Sequence, residues 1–471
     1  MKISPSAAPV NGRDGRRTSA ARRRRVLGIA AGVLATALVA TGCSGSAGGG
    51  SDTLKIAYQK FGTFTQLDAH LKETVKTFEK ANPKIKVELV PIAAQNDDYY
   101  TKLALMNRAS ATAPDVMYED TFKIKADAAA GYLAPLDEYT KTWADWSKFF
   151  DNAKQAGIGT DGKTYGIPMG TDTRALWYNK ELFAKAGLPV PWQPKTWDDV
   201  LSAAKTIKSK LPGVIPMNIY SGKPQGEGST MQGFEMLLYG TPSGTLYDSG
   251  SKKWIAGSQN FTDSLGFIKD VYQGDLGPTP QQALDTNAAT TVAAELLPQS
   301  KLAIDLDGSW LSGTWLSTGT NPWPKWSTVL GQAPMPTQNG QAPGGVSMSG
   351  GWTLSVGAKS ANKAKAFEFI ADTLDKEGST SYDIAASQIA VRSDVASDPT
   401  YVNSNPSFKF FSSIVPVTHY RPATTEYSQI SNQITVAMES VMTGQQTPEK
   451  AAAAYDTALK GIVGDDKTET K

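Results

Sequence analysis

The hydrophobic pattern along the chain alternates between the period of strands and the period of helices. Short apolar runs over 54–58 and 85–90 predict two strands. The apolar residues of 71–80 between them recur at helical spacing, and an alanine-containing helix near 99–108 followed by a strand over 115–118 repeats the order. Crossovers of this length favour mostly parallel strands, so we expect an α/β sheet.

Further helices are indicated by caps and by apolar faces. Thr196 and Asp199 have the spacing of a capping box before the apolar-periodic stretch 200–207, which predicts a helix start. The remaining patterned segments are a strand over 302–306, helices over about 361–374, 427–441 and 448–463, and a charged, disordered tail over 464–471.

Residues 1–42 predict a signal peptide, because a basic segment precedes an uncharged run over 26–40 that is shorter than the roughly 20 residues of a membrane-spanning helix. Arg23-Arg24-Arg25-Val26-Leu27 also fits the twin-arginine pattern, so Sec and twin-arginine export both stay open. The whole chain has 47 basic and 45 acidic side chains, and the first 42 residues take eight basic and one acidic. The body is therefore anionic, which does not favour nucleic acid as a partner.

Cys43 is the only cysteine of the chain, and it follows the small residues Ala40, Thr41 and Gly42. This order resembles a bacterial lipobox, in which the cysteine is lipidated before cleavage. A glycine- and serine-rich tether completes the segment 43–51. We expect a lipoprotein anchored to the outer face of the cell membrane. The alternative is a buried apolar cysteine beside an ordinary cleavage site.

The composition narrows the chemistry to carboxylate, hydroxyl and aromatic groups. One cysteine and two histidines, His70 and His419, are too few for a disulfide framework or a structural zinc site. A serine–histidine–acid triad could take its base only from these two histidines, which disfavours nucleophilic hydrolysis. We expect no cofactor and no metal. Eleven tryptophans, by contrast, supply many aromatic planes.

Several spaced segments carry a family resemblance. They are APDV at 113–116, GYLAPLD at 131–137, GKTYGIP at 162–168, LWYNKELF at 176–183, AGL at 186–188, DGSW at 307–310, APMP at 333–336, GGWTL at 350–354 and RP at 421–422. Together they resemble the extracellular solute-binding proteins of carbohydrate ABC transporters, the maltose-binding-protein-like family 1. The resemblance covers nearly all of the chain after the tether.

The resemblance implies a two-lobe periplasmic-binding-protein-like α/β fold of type II, with a hinge and an interlobe ligand cleft. Lobe 1 is expected to hold 52–169 and 350–392, and lobe 2 to hold 171–349 and 393–463. The implied function is capture of a sugar or oligosaccharide outside the membrane and delivery to the permease subunits of the transporter. The resemblance implies a monomer without enzymatic activity.

Sugar sites combine aromatic planes for the ring faces with polar groups for the hydroxyl rim. Trp310 follows Asp307 at the end of the predicted strand, where open α/β sheets place ligands, and it resembles the family's stacking tryptophan. A core tryptophan is the alternative. Trp352 follows Gly351, which either brings the backbone close to a ligand or makes a turn.

Polar candidates come from segments that the resemblance places near the cleft. Glu119 and Asp120 match the position of an acidic sugar contact, with a solvated loop pair as the alternative. Asp172 and Arg174 lie at the first lobe crossing, where they either reach the ligand or form a hinge ion pair. The weaker ligand-binding candidates are Lys60, Phe61, Glu235 and Arg421. The residues interpreted as packing or surface positions are Trp177, Tyr178, Trp192, Trp197 and His70.

Two other function classes stay open on the sequence. A secreted glycoside hydrolase would use paired carboxylates on an α/β scaffold, but no pair is fixed by spacing at a catalytic separation. A binding protein for a metal, a polyamine or a peptide would share the fold and differ in the cleft.

Overall fold

The computed structural model of the protein describes residues 52–60, 62–94 and 96–470. The predicted signal peptide and Cys43 lie outside the described residues. The strands, in chain order, are β1 (Thr53–Gln59), β2 (Lys86–Ile92), β3 (Val116–Asp120), β4 (Ile167–Gly170), β5 (Arg174–Asn179), β6 (Ile215–Asn218), β7 (Tyr247–Asp248), β8 (Lys253–Ala256), β9 (Leu302–Gly308), β10 (Leu330–Ala333), β11 (Met335–Pro336), β12 (Gly345–Met348), β13 (Trp352–Val356), β14 (Thr418–His419) and β15 (Thr468–Thr470).

Long helices connect and cover these strands. Those of ten residues or more in the described part of the chain are α1 (Gln66–Ala81), α2 (Asn96–Met106), α3 (Trp197–Lys210), α4 (Gln259–Tyr272), α5 (Lys363–Thr373), α6 (Lys376–Ala386), α7 (Tyr427–Met442) and α8 (Pro448–Val463). Shorter α-helices are Ile124–Ala129, Asp137–Thr140, Asp151–Gln155, Lys180–Ala186, Met236–Leu238, Pro280–Ala283, Ala288–Thr291, Trp326–Val329, Ser393–Ala396, Pro399–Val402 and Phe408–Ser413. Tighter 3₁₀ turns span Ala144–Lys148, Lys223–Gln225, Ser309–Thr314, Val415–Val417 and Asp465–Lys467, and π-helical segments span Gly228–Glu235 and Val292–Leu296.

The first large sheet has the strand order β2-β1-β3-β13-β4. β1 pairs in parallel with β2 and β3, as the β-α-β pattern predicts. β13 enters between β3 and β4 from much later in the chain and runs antiparallel to both. The sheet packs its apolar face against α1 and α5, where Leu71, Phe78 and Phe369 are fully buried.

The second large sheet has the strand order β10-β5-β9-β6. β5 runs antiparallel to β9 and β10, and β6 runs parallel to β9. A separate apolar core joins this sheet to α3, α4, α7 and α8. The packing roles predicted for four aromatic residues are confirmed by their burial: Trp177, Tyr178, Trp192 and Trp197.

The start of α3 follows its sequence signal closely. The Thr196 hydroxyl accepts from the backbone N–H of Asp199, and the Asp199 carboxylate accepts from the backbone N–H of Thr196. Both halves of the predicted capping box are therefore present. Such a cap satisfies backbone donors that a helix start otherwise leaves unpaired.

The chain crosses between the two sheets more than once. β4 ends at Gly170 and β5 begins at Arg174, so the first crossing takes three residues. β12, which pairs with β11 and β14 in a smaller sheet, is followed by β13, which returns to the first large sheet. Thr171 in the first crossing pairs with Ile389 as an isolated bridge. The boundaries given for the two lobes stay a prediction.

Two local expectations need correction. Residues 464–470 are not a frayed tail, because β15 pairs in parallel with β8 from Thr468 to Thr470. His70 is half-buried rather than a surface residue, since its ring lies 5.4 Å from that of Tyr382 and its Nε2 lies 3.0 Å from the carbonyl oxygen of Thr373. Both contacts depend on partners far away in the sequence.

Candidate ligand-binding site

A cleft of about 190 Å³ is lined by residues from both large sheets. β3 and β13 of the first sheet contribute side chains at their ends, and so does β9 of the second sheet. The π-helical segment Gly228–Glu235 and the 3₁₀ turn Ser309–Thr314 add further lining residues. Strand ends and helix starts thus converge on one space, which is where α/β sheets present ligand sites.

Eight of the twelve predicted ligand-binding residues line this cleft. They are Asp120, Asp172, Arg174, Asp307, Trp310, Gly351, Trp352 and Arg421. Glu119, Lys60 and Glu235 are not among its lining residues, and Phe61 lies outside the described residues.

Trp310 lies across the end of β9 with part of its ring exposed. A side chain at Gly308 would occupy the place of this ring, since a Cβ there would fall 1.9 Å from the indole. The guanidinium carbon of Arg174 lies 4.7 Å from the ring centroid and covers one face of the indole by a cation–π contact. Trp310 is therefore a cleft residue and not the core tryptophan that was the alternative.

Trp352 is also half-buried, and its ring stacks on Tyr118 with centroids 4.2 Å apart and planes 3° from parallel. The antiparallel register sets Trp352 opposite Asp120 on β3, so Tyr118, two residues earlier, is its diagonal neighbour on the same face. Gly351 has a φ of +135° and a Cβ there would lie 2.6 Å from the carbonyl oxygen of Gly170, which favours glycine at this position.

Asp172 and Arg174 form an ion pair at the first crossing between the sheets, and both line the cleft. The Asp172 carboxylate also accepts from the backbone N–H of Gly350 at 2.9 Å. The pair therefore ties the two neighbouring crossings between the sheets together while it borders the ligand space. The guanidinium of Arg174 is the group that covers one face of the Trp310 indole.

Asp307 lies near the end of β9, where it lines the cleft and is 3% exposed. It accepts a hydrogen bond from the Tyr220 hydroxyl at 2.9 Å and one from the backbone N–H of Gly308 at 2.6 Å. Burial raises the pKa of Asp307 to about 6, although both hydrogen bonds act in the opposite direction.

Arg421 joins two carboxylates that approach it from different parts of the fold. It donates to Asp120 at the end of β3 at 3.2 Å and to Glu227 beside the π-helical segment at 3.1 Å. The Phe122 ring lies 4.3 Å from its guanidinium carbon, and the Tyr100 hydroxyl donates to Asp120 at 2.9 Å. This buried cluster links the first sheet to the elements that cover the second.

Strand alternation explains why Asp120 lines the cleft and Glu119 does not. Side chains of Tyr118 and Asp120 point to one face of β3, and Glu119 points to the other. There it is buried near Asp127, and desolvation raises its pKa well above the ordinary value. The alternative of a solvated loop pair is also wrong, because both Glu119 and Asp120 are buried.

The other two candidates have partners away from the ligand space. Lys60 forms an ion pair with Asp68 at 2.8 Å. Glu235 is fully buried and accepts from the Tyr427 hydroxyl at 2.9 Å, and burial raises its pKa to about 8. Both lie near elements of the cleft, but neither side chain borders it.

Sequence reasoning missed several lining residues, among them Tyr118, Tyr220, Glu227 and Tyr382. Tyr118 could have been found from alternation, as it stands two positions before Asp120 on one strand. The others lie in segments without a recognisable motif.

Among the described residues, no three histidine, cysteine or acidic side chains are grouped so as to hold a metal ion. In the same part of the chain, none of the helices has the length and apolar character needed to traverse a bilayer.

A family model for bacterial extracellular solute-binding proteins matches residues 62–372. The chain belongs to this family. The family is one of extracellular binding proteins, so this solute-binding protein acts outside the cytoplasm. The predicted two-lobe α/β fold, with its resemblance to carbohydrate ABC transporter proteins, is confirmed by the structures it matches.

Two solved structures cover nearly the whole folded part of this solute-binding protein. A solute-binding protein of Thermotoga lettingae TMO bound with alpha-D-tagatose is 26% identical with a TM-score of 0.75, covering 88% of this chain and 100% of that one. The GacH receptor of Streptomyces glaucescens, solved unliganded and with acarbose, is 25% identical with a TM-score of 0.74, covering 88% and 99%.

Two relatives of this solute-binding protein are named as sugar-binding proteins. The galactooligosaccharide-binding protein of Bacillus subtilis is 24% identical over 400 residues, which are 83% of this chain and 86% of that protein. The multiple sugar-binding protein of Streptococcus mutans is 25% identical over 226 residues, and that match spans about half of each chain, 48% and 49%.

Proposed function

We propose that this solute-binding protein captures a sugar or oligosaccharide in the cleft and delivers it to the permease subunits of an ABC importer. The observation that carries the proposal is the composition of the cleft, in which two half-exposed indoles, Trp310 and Trp352, lie beside carboxylates and guanidinium groups. Indoles pack on the apolar faces of sugar rings, and charged groups bond the hydroxyl rim. Relatives named for galactooligosaccharide and multiple sugars support the same ligand class.

Each cleft residue has a role in this proposal. Trp310 and Trp352 stack on ring faces, each with one indole face already held by a protein group. Asp307, Asp172 and Arg174 bond hydroxyls from the side of the second sheet. Asp120, Arg421 and Gly351 complete the rim.

Ligand binding is proposed to favour the closed arrangement of the two lobes. A ligand that touches both sides of a cleft binds the closed form more tightly than the open one and so shifts the population towards it. The Arg421 contacts with Asp120 and Glu227 cross the same cleft and are made when the lobes are close. The permease then receives a ligand enclosed by both lobes.

The proposal assigns binding and no turnover. Asp120 and Asp172 are both engaged by arginines, whereas glycoside hydrolysis needs one carboxyl group held as an acid and another free as a nucleophile or base. Incubating the protein with each bound sugar and separating the products by chromatography should return the sugar unchanged. Hydrolysis that disappears in one carboxylate variant would favour the hydrolase.

Attachment to the membrane is a separate part of the proposal. Cys43 is proposed to be lipidated after export by the Sec or the twin-arginine route, so that the monomer is tethered to the outer face of the cell membrane through 43–51. Cys43→Ser should release the protein to the medium, as measured by fractionation and mass spectrometry of the N-terminal peptide. Unchanged membrane association without a lipid adduct would contradict lipidation.

The ligand class is tested by thermal unfolding of the purified protein against a panel of solutes. Sugars and oligosaccharides should raise the midpoint, because a ligand that binds only the folded state stabilises it. Polyamines, peptides and divalent metals form the other arms of the panel. A shift confined to one of these arms would replace the sugar with that solute.

A further inference from the structure

Three glutamine side chains that line the cleft have no hydrogen-bond partner among the described residues. Gln66 begins α1, Gln232 lies in the π-helical segment, and Gln388 follows α6, and all three are half-buried. In the part of the chain that the structure describes, no hydrogen bond joins any of these three amides to another residue. None of them carries a sequence motif.

Another glutamine of the same cleft shows the contrast. The Gln225 amide donates to the carbonyl oxygen of Asp285 at 2.6 Å, so it is committed to holding its own segment. The amides of Gln66, Gln232 and Gln388 are not committed in this way. They come from three different elements that border the same cleft, so each can face a ligand held there.

The charges of the cleft limit what that ligand can be. Its described lining holds four carboxylates and two guanidinium groups and no lysine: Asp120, Asp172, Glu227, Asp307, Arg174 and Arg421. Both arginines are already compensated, Arg174 by one carboxylate and Arg421 by two. An anionic ligand would meet no unpaired cation, and burying a charge without a partner is costly.

We propose that the side-chain amides of Gln66, Gln232 and Gln388 form hydrogen bonds with the hydroxyls of an uncharged sugar, and that the cleft rejects sugar acids and sugar phosphates. An amide offers two donors and an acceptor, which matches hydroxyls that both donate and accept. The inference rests on the proposed sugar-binding function and adds to it the residues that select the ligand and the charge that it carries.

Calorimetric titration of the purified protein tests the charge class. The probes are the neutral disaccharides maltose, cellobiose, lactose and melibiose, each with the matching disaccharide that ends in a uronic acid, and glucose 6-phosphate. At least one neutral disaccharide should bind, and its uronic acid counterpart should bind at least tenfold more weakly. Equal or tighter binding of the acid, or binding of glucose 6-phosphate alone, would overturn the proposal.

The residues are tested with the neutral disaccharide that binds. Gln66→Met, Gln232→Met and Gln388→Met should each weaken binding about 3- to 10-fold, the scale of one or two lost hydrogen bonds. Gln429→Met, on the exposed side of α7, is the matched control and should bind as the wild type does. Gln232→Glu keeps the shape, removes the donors and adds a charge, so it should weaken binding at least as much even if a methionine variant folds poorly.

The outcomes separate this inference from the function on which it rests. If the wild type binds a neutral disaccharide and the three methionine variants bind it equally well, the glutamines do not contact the ligand. The inference then fails, and the proposed sugar-binding function stands. If the wild type binds no probe of either charge, the sugar-binding function fails and the inference fails with it.

Discussion

Replacing Trp310 by alanine removes an indole that the structure places in the cleft rather than in a core. The ring is partly exposed and is held on one face by the guanidinium of Arg174, 4.7 Å from its centroid. Removing its free face should weaken sugar binding by about 1 to 3 kcal/mol, the scale of a buried large apolar side chain, which corresponds to roughly 5- to 150-fold in Kd.

The cost to folding should be smaller than for a buried tryptophan. Truncating a fully buried tryptophan costs about 3 to 5 kcal/mol, and a half-buried ring should cost roughly half of that. Trp177 supplies the matched control, because it is fully buried and its Nε1 donates to the carbonyl oxygen of Gly308, close to Trp310. Trp177→Ala should therefore lose much more stability than Trp310→Ala.

Titration calorimetry with the best sugar and urea unfolding, done on both variants, separate the two roles. Trp310→Ala should lose affinity and keep most of its stability. Equal stability losses in the two variants, together with wild-type affinity in Trp310→Ala, would refute the assignment of Trp310 to the ligand.

Three further variants test local parts of the account. Burial raises the pKa of Glu235 from 4.5 to about 8. Between these values the unfolded state binds fewer protons than the folded state, so the free energy of unfolding falls as pH rises. Glu235→Gln mimics the neutral form and should flatten this pH dependence, measured by urea unfolding at pH 5 and pH 8. Arg421→Gln leaves two buried carboxylates unpaired and should cost about 3 to 5 kcal/mol in the same assay, with Arg421→Lys recovering only part. Thr196→Ala should cost about 1 kcal/mol through the lost cap of α3, and no change would contradict the capping box.

Elements that depend on local pattern are predictable from the sequence. The period of apolar residues locates α1 and the strands on either side of it, and the capping box locates the start of α3 to the residue. Trp310 is found by the same kind of local logic, since it follows Asp307 at the end of a buried strand. These signals need no knowledge of distant partners.

Features that depend on pairing between distant segments are not predictable in this way. The stack of Trp352 on Tyr118 exists because β13 lies antiparallel to β3, in a register set by contacts more than 200 residues apart. The hydrogen bond from Arg421 to Glu227 likewise connects residues 194 positions apart in the chain. The sequence does not say which face of β3 borders the cleft, so it does not separate Asp120, which lines the cleft, from Glu119, which does not.

A crystal structure of the protein with a bound sugar tests the central claim most directly. The account predicts a sugar in the cleft, with a ring in van der Waals contact, about 4 Å, with Trp310 or Trp352 and with hydroxyls bonded to the polar lining residues. A sugar bound elsewhere on the molecule, or a ligand in the cleft that touches neither indole, would contradict it.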